Sequence, residues 1–231
     1  MEEKKKKVII FPHAGAGTVF FNSFKEEFKN SEVYVIQYPG REDKYGQSMP
    51  DTINQLADVL FAEYKHLFKE QFVFWGHSMG SIVAYEVAKR CMRILHNVPI
   101  RFFSSGSSAP CSGSSEGLRS AVKSQKDFES LLDIYGGISD ELKNDSGFCK
   151  YFYPIILGDM KIISNYCDDE LVKLCCPIML MEGIDDSVRI DEWKLYTDFG
   201  IEVKYFEGGH FFIDEHKREI AASIENYYID R

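Results

Sequence analysis

The sequence predicts an α/β fold: a mostly parallel twisted sheet with helices on both faces. Six short apolar runs alternate with longer segments of helical periodicity, which is typical of strands joined by helical crossovers. The chain has 231 residues, of which 45% are hydrophobic and 27% charged. That length can bury one substantial core and is short for a second full domain. We therefore expect residues 1–231 to form a single domain.

The predicted strands are the six apolar runs Val8–Phe11, Val33–Gln37, Gln71–Trp75, Ile100–Ser104, Ile178–Met181 and Ile201–Phe206. Apolar residues at i, i+3 and i+4 spacing predict helices over Asp51–Phe68, Ser81–Leu95, Asp191–Phe199 and Glu215–Tyr227. Asp51 follows Pro50 and precedes the periodic residues that start at Ile53, which predicts that Asp51 caps its helix.

The alternation stops between about residues 110 and 175, where helical patterns such as Phe128, Leu131, Leu132 and Tyr135 dominate. A serine- and glycine-rich stretch, Ser104–Ser115, leads into this region. We interpret the region as a helical lid inserted into the domain. Its many apolar side chains either line an apolar substrate channel or pack the lid on the core, and the sequence leaves both readings open.

A candidate nucleophile lies in the segment Gly76-His77-Ser78-Met79-Gly80, between a predicted strand and a predicted helix. In that context a Gly-x-Ser-x-Gly sequence forms a sharp turn that exposes the serine hydroxyl above the sheet. The glycines leave room for the turn, and the helix N-terminus directs free N–H groups at the site. His77 is adjacent to Ser78, but neighbouring side chains on a tight turn diverge, so we expect His77 to support the turn.

A serine nucleophile needs a histidine base and an acid that orients it. His210 follows Gly208-Gly209 in the loop after the last predicted strand, at the sheet edge where Ser78 also lies. The strand that ends near Met181 is followed by Asp185 and Asp186, in the chain order Ser, Asp, His. We favour Asp186 as the acid, since a Gly-x-x-Asp turn delivers it, and interpret Asp185 as a capping or turn residue.

The loop Phe11–Gly17 after the first predicted strand is rich in small residues, which allow backbone amides to approach a substrate. The N–H groups of Ala14 and Met79 are the predicted donors of an oxyanion hole. His13 has two readings: its imidazole braces this loop, which we favour, or it transfers a proton.

The composition argues against several other functions. A net charge of −9 and a pI near 5.2, without a basic stripe interleaved with aromatics, argue against nucleic-acid binding. The apolar stretch Val8–Phe11 is too short for a signal peptide or a membrane span. The six cysteines form no C-x-x-C pair and no metal-ligand spacing with histidine, so we expect no zinc or redox dithiol site, reduced thiols and a cytoplasmic location. The sequence shows no heptad seam, so we expect the protein to be a monomer.

Four segments resemble, in order, motifs of the type II thioesterases of nonribosomal peptide and polyketide synthesis, which are α/β-hydrolases. The segments are Phe11-Pro12-His13-Ala14-Gly15, Gln37-Tyr38-Pro39-Gly40-Arg41-Glu42, Gly76-His77-Ser78-Met79-Gly80 and Gly208-Gly209-His210-Phe211-Phe212. The second segment discriminates, because general esterases share the serine motif and lack Tyr-Pro-Gly-Arg-Glu. The resemblance implies an α/β-hydrolase fold, Ser78, Asp186 and His210 as the triad, and the amides of Ala14 and Met79 as oxyanion donors.

The resemblance also implies the substrate: acyl thioesters on the phosphopantetheine arm of acyl or peptidyl carrier domains, removed in an editing role. The reaction implied by the resemblance needs no metal or organic cofactor, since the phosphopantetheine belongs to the substrate protein. Alternatives are a medium-chain fatty acyl-carrier thioesterase, a small-molecule carboxylesterase and a noncatalytic scaffold. Carrier proteins are usually acidic, so we expect a local basic patch on this acidic chain. The candidates for that patch are Arg41, Lys44, Lys123 and Lys126.

Overall fold

The computed structural model describes residues 6–227, which form an α/β structure around one six-stranded parallel sheet. The strands are β1 (Lys6–Phe11), β2 (Ser31–Val35), β3 (Phe72–His77), β4 (Arg101–Ser105), β5 (Ile178–Gly183) and β6 (Ile201–Phe206). Their spatial order is β2-β1-β3-β4-β5-β6, and every neighbouring pair is parallel. All six predicted strands are therefore confirmed, as is the α/β class.

The α-helices are α1 (Asn22–Lys25), α2 (Ile53–Tyr64), α3 (Met79–Arg90), α4 (Glu116–Ala121), α5 (Gln125–Tyr135), α6 (Asp140–Asn144), α7 (Ser146–Ser164) and α8 (Lys217–Asn226). Two hydrophobic clusters cover the two faces of the sheet. One includes α2 and α3 side chains with Phe74 of β3, and the other includes α1 and α8 side chains with Trp75 of β3. Successive residues of a strand face opposite sides of the sheet, so β3 contributes side chains to both clusters.

The sheet order places the candidate site. The chain passes from β1 outward to β2 and then returns past β1 to β3, so the chain direction across the sheet reverses between β1 and β3. In open parallel sheets the crevice for ligands lies at the carboxyl ends of the strands at such a reversal. Phe11 of β1 pairs with Gly76 of β3, which brings the loop after β1 beside the turn after β3.

Several helix boundaries differ from the prediction. Asp51 does not cap α2, so that prediction is wrong: the N-cap is Thr52, whose Oγ1 accepts a hydrogen bond from the Gln55 amide at 3.1 Å. The predicted helix over Asp51–Phe68 also ends early, at Tyr64, with a separate 3-10 turn at Leu67–Lys69. The segment predicted as helix from Asp191 is a 3-10 helix, Asp191–Tyr196.

Helices α4 to α7 all lie between β4 and β5, in the region predicted as a helical insertion. Seven of their buried side chains form a separate hydrophobic cluster, which gives the insertion a small core of its own: Leu118, Ala121, Phe128, Leu131, Leu132, Ile156 and Met160. Across residues 6–227, no helix combines the length and the apolar character that crossing a membrane requires.

Candidate active site

Ser78 lies at the turn between β3 and α3, with backbone angles φ 54° and ψ −123° that a side-chain-bearing residue seldom adopts. Its amide donates to the Ser105 carbonyl at 2.8 Å, which fixes the turn to the neighbouring strand β4. The flanking glycines are required by close packing. A Cβ at Gly76 would lie 2.4 Å from the Gly80 carbonyl carbon, and one at Gly80 would lie 2.0 Å from the Phe11 oxygen. The predicted sharp turn is confirmed.

Ser78, His210 and Asp186 form one continuous hydrogen-bonded chain. The His210 Nε2 atom lies 3.0 Å from Ser78 Oγ, and its Nδ1 atom lies 2.7 Å from Asp186 Oδ2. With the Nδ1 proton donated to the carboxylate, the lone pair on Nε2 faces the serine hydroxyl. This is the arrangement in which a histidine accepts a serine proton and a carboxylate stabilises the resulting cation.

The two aspartates differ in their surroundings. The Asp186 carboxylate faces His210, and its other oxygen, Oδ1, accepts a hydrogen bond from the Ser187 amide at 2.8 Å. Asp185 is exposed, and its contribution to the turn is a backbone hydrogen bond to the Gly208 carbonyl at 3.0 Å. The local geometry therefore matches the assignment made from the sequence, with Asp185 as a turn residue.

We expect Asp186→Asn to lower kcat by about 10⁴-fold, because an amide orients the wrong tautomer of His210 and does not stabilise its cation. The measurement is the steady-state hydrolysis of an acyl thioester. The matched control is Asp185→Asn, which we expect to change kcat by less than about threefold. Equal losses in the two variants would contradict the assignment.

The amides of Ala14 and Met79 both lie at the cavity that holds Ser78. Among residues 6–227, neither amide donates a hydrogen bond to a protein acceptor, so both remain available to a ligand. Met79 is the first residue of α3, where backbone N–H groups have no partner within the helix. These properties are those expected of oxyanion donors.

His13 is buried, and its Nδ1 lies 2.9 Å from the Ala14 carbonyl, to which it donates. Burial lowers the pKa of His13 to about 4, so the ring is neutral at pH 7. The imidazole thus braces the loop that carries the Ala14 amide, as the favoured reading predicts.

His77 is buried, and its ring packs beside those of His210 and His13, with ring centroids 5.2 Å and 5.8 Å away. Its Nδ1 lies 2.9 Å from Ser105 Oγ, which also accepts a hydrogen bond from the Trp75 indole at 3.1 Å. Burial, together with the nearby His210 and His13, holds the pKa of His77 well below its ordinary value. His77 is therefore a neutral support for the turn, as predicted. The sequence analysis missed Ser105, since a serine inside an apolar strand carries no local signal of this contact.

Glu182 is a second buried acid near the site that the sequence analysis did not single out. It lies in β5, four residues before Asp186, and its side chain is 2% exposed. Its carboxylate lies beside the backbone N–H groups of Ser107 and Gly106, which favour the charged form less than burial disfavours it. Burial, and then the charge of Asp186, raise the pKa of Glu182 to about 9. Glu182 is therefore protonated and neutral at pH 7.

This pKa predicts a pH-dependent stability. The folded protein retains a proton that the unfolded chain releases above its ordinary pKa near 4.5, so stability falls as the pH rises from about 4.5 to about 9. We expect Glu182→Gln, which is neutral at all pH values, to raise the free energy of unfolding by about 2–4 kcal/mol at pH 8 and by much less at pH 5. Urea denaturation at both pH values measures this.

The control for that experiment is the exposed Glu207, whose replacement by Gln we expect to change stability by less than about 0.5 kcal/mol at either pH. A gain for Glu182→Gln that is the same at pH 5 and pH 8 would show that the proton on Glu182 is not its source.

Ser78 opens into a cavity of about 690 Å³. Its lining is mainly apolar and comes from the loop after β1, from α3 and from the inserted helices α4, α5 and α7, including Phe20, Ile82, Leu132, Phe152, Ile156 and Met160. The ring centroid of Tyr135 in α5 lies 4.6 Å from that of His210. The inserted helices thus line an apolar chamber over the candidate triad, while several of the same side chains also pack the insertion.

Two of the four candidate docking residues are engaged in ion pairs within the chain. Arg41 is 2% exposed and is paired with the buried Asp159 at 2.6 Å, so its assignment to a basic surface patch is wrong. Lys44 is largely covered and pairs with Glu63, also at 2.6 Å. Lys123 and Lys126 are exposed and stay candidates. Arg41 and its internal partner in α7 are 118 positions apart, so no local pattern in the sequence links them.

Comparison with known proteins shows the family of this chain. The family model described as a thioesterase domain matches residues 6–228. The chain belongs to the thioesterase family. It is 28% identical to thioesterase PikA5 of Streptomyces venezuelae over 96% of this chain and 81% of that protein. It is 30% identical to thioesterase TesA of Mycobacterium marinum, over 94% and 88% of the two chains.

A mammalian thioesterase is similar to the same extent. The medium-chain S-acyl fatty acid synthase thioesterase of Rattus norvegicus is 28% identical over 96% of this chain and 86% of that protein. Other relatives are longer proteins, of which this thioesterase spans 61% or 16%.

Solved structures show the same fold. ClbQ of the colibactin pathway superposes with a TM-score of 0.89, at 22% identity over 98% of both chains. The type II thioesterase BorB, from the borrelidin cluster, gives a TM-score of 0.84 at 25% identity, over 97% of this chain and 93% of BorB. The α/β-hydrolase fold and serine-hydrolase class of this thioesterase follow from these similarities.

Proposed function

We propose that this thioesterase is a type II editing enzyme of nonribosomal peptide or polyketide synthesis, which hydrolyses acyl thioesters from the phosphopantetheine arm of carrier proteins. The observation that carries the proposal is the Ser78–His210–Asp186 chain at an apolar chamber of about 690 Å³. The similarity to thioesterase PikA5 and to the type II thioesterase BorB adds support. We assign the triad to these three residues.

In the first half of the reaction, His210 Nε2 accepts the Ser78 proton while Oγ attacks the thioester carbonyl carbon. The negative oxygen that forms is stabilised by the N–H groups of Ala14 and Met79. Asp186 stabilises the His210 cation throughout. The carbon–sulfur bond then breaks, His210 returns the proton to the departing sulfur, and the acyl group is left as an ester on Ser78.

In the second half, His210 accepts a proton from a water molecule, whose oxygen attacks the Ser78 ester. The same amides hold the second oxyanion. Collapse of this intermediate transfers the proton from His210 to Ser78 Oγ and releases the carboxylic acid. No step requires a metal or an organic cofactor from this chain.

We assign residues 1–231 to a single catalytic domain, with the segment of about residues 110–175 acting as its lid. We expect it to act as a cytoplasmic monomer on carrier domains. Docking would involve two exposed lysines, Lys123 between α4 and α5 and Lys126 in the first turn of α5.

The test is release of acyl groups from a phosphopantetheinylated carrier, followed by mass spectrometry, with acetyl and longer acyl chains. An acyl thioester of a small thiol and the matching oxygen ester of a small alcohol are assayed in parallel. We expect faster release from the carrier than from either small substrate. Turnover of oxygen esters without release from the carrier would instead indicate a small-molecule carboxylesterase.

A second candidate, a medium-chain fatty acyl-carrier thioesterase, is favoured by the similarity to the rat enzyme and by the apolar chamber lining. The chain-length profile of the same experiment separates the two functions. A sharp preference for medium chains favours product release from fatty acid synthesis, and a broad profile that includes acetyl favours editing.

A further inference from the structure

The buried ion pair between Arg41 and Asp159 connects two distant parts of the chain. Arg41 belongs to the Tyr-Pro-Gly-Arg-Glu segment, and Asp159 belongs to α7 of the insertion. The pair is bidentate: Arg41 Nη1 donates to Asp159 Oδ2 at 2.7 Å, and Nη2 donates to Oδ1 at 2.6 Å. The exposed fractions of the two residues are 2% and 0%. Both charges are therefore fully desolvated and matched.

Both partners also bind the loop that carries the candidate oxyanion amide. The Gly15 amide donates to Asp159 Oδ2 at 2.7 Å, and Arg41 Nη1 donates to the Ala16 carbonyl at 2.9 Å. These contacts hold the two residues that directly follow Ala14. Gly15 has a φ of +81°, and a Cβ there would lie 2.4 Å from Ile156 of α7. The loop therefore packs closely against α7 at Gly15.

General stability does not explain this arrangement well. A buried ion pair contributes little more to the free energy of folding than apolar side chains of similar volume would, because desolvation of the charges offsets their attraction. The pair instead supplies directional contacts that apolar side chains do not make: an acceptor for the Gly15 amide and a donor to the Ala16 carbonyl. A misplacement of about 1 Å in a catalytic group is enough to cost about 10²-fold in rate.

We propose that Asp159, fixed by Arg41, is a positioning residue that sets the orientation of the Ala14 amide for the transition state. Asp159 acts through the Gly15 amide and does not touch the substrate carbonyl. This inference rests on the proposed function insofar as Ala14 serves as an oxyanion donor. It also gives α7 a role besides lining the chamber: this helix is fastened to the catalytic loop, whereas α4 to α6 have no such bond to it among the described residues.

The test uses double variants that avoid an unpaired buried charge. R41M/D159L replaces the ion pair with apolar side chains and removes both loop contacts. R41M/D159N is also neutral but keeps a side-chain oxygen for the Gly15 amide. We expect R41M/D159L to lower kcat by about tenfold to a hundredfold with KM within about twofold, and R41M/D159N to recover a substantial part of that loss.

A binding measurement separates positioning from simple structural support. A trifluoromethyl ketone analogue of the acyl substrate is attacked by Ser78 and forms a tetrahedral oxyanion, whereas the matching methylene thioether binds without one. We expect R41M/D159L to weaken binding of the ketone at least tenfold and binding of the thioether less than twofold. Thermal unfolding establishes that each variant is folded.

The matched control is Arg101→Met. Arg101 is also 2% exposed and ion-paired, with Glu202 at 2.6 Å, but it begins β4 at the opposite end of the sheet from the site. We expect Arg101→Met to lower thermal stability without changing the ratio of ketone to thioether affinity. Equal weakening of both probes by R41M/D159L, or no recovery in R41M/D159N, would overturn the proposal.

The two proposals fail in distinguishable ways. If the wild-type enzyme releases nothing from carriers but hydrolyses small esters, the proposed function fails, and the ketone comparison still tests Asp159. If carriers are hydrolysed and the ketone comparison shows no selective loss, only the role of Asp159 fails.

Discussion

Replacement of Ser78 by alanine should lower kcat by about a million-fold, the largest effect of any single substitution considered for this enzyme. The variant lacks the oxygen that His210 activates at 3.0 Å, so the covalent route is closed. The residual rate comes from the oxyanion donors and from substrate binding alone. Single-turnover hydrolysis of an acyl thioester, with acylation of the enzyme followed by mass spectrometry, measures the loss.

Ser81→Ala is the control for this substitution. Ser81 lies three residues further on, in the first turn of α3, and its hydroxyl donates to the Gly76 carbonyl at 2.7 Å. We expect that variant to lose about 1 kcal/mol of stability and to retain kcat within a few-fold. A Ser78→Ala enzyme with more than a few per cent of wild-type turnover would exclude Ser78 as the nucleophile.

The second large effect concerns folding. A Cβ at Gly80 would lie 2.0 Å from the Phe11 oxygen and 2.7 Å from the Pro12 oxygen, both of which are backbone atoms. Relief of these contacts requires α3 to move away from β1, at the centre of the molecule. We expect Gly80→Ala to destabilise the protein by more than about 4 kcal/mol, so that most of the chain is unfolded or insoluble at 37 °C.

The comparison is Gly158→Ala, since Gly158 lies inside α7 and a Cβ there would contact no atom within 4 Å. Alanine favours a helix interior over glycine by about 1 kcal/mol, so this variant should be slightly more stable than wild type. Circular dichroism during thermal unfolding measures both. A soluble, cooperatively folded Gly80→Ala protein would contradict the close packing of β1 on α3.

The sequence predicted the sheet and the triad geometry for a physical reason. Strands in this fold are apolar runs bounded by turn residues, and the candidate catalytic side chains lie in the loops that follow those runs. Ser78, Asp186 and His210 each follow a strand closely, so the parallel topology alone brings them to one edge. The predicted choice of Asp186 over Asp185 agrees with the geometry because the turn after β5 has a recognisable form.

Contacts that depend on tertiary structure were not predictable in the same way. Arg41 was interpreted as a surface cation, since its partner lies 118 residues away in a helix whose docking the sequence does not specify. An acid among the apolar residues of α7 was the available signal for Asp159. Glu182 gave a weaker signal, because an acid in a strand usually faces solvent, and here both faces of the strand are covered.

The distance along the chain between the triad members also bears on protein synthesis. Ser78 and His210 are 132 positions apart, and Asp186 lies 24 positions before His210. A ribosome that makes this chain therefore produces the serine long before its base. Throughout that interval the growing polypeptide carries an ordinary, unactivated hydroxyl, and it acquires hydrolytic power only after translation has passed residue 210.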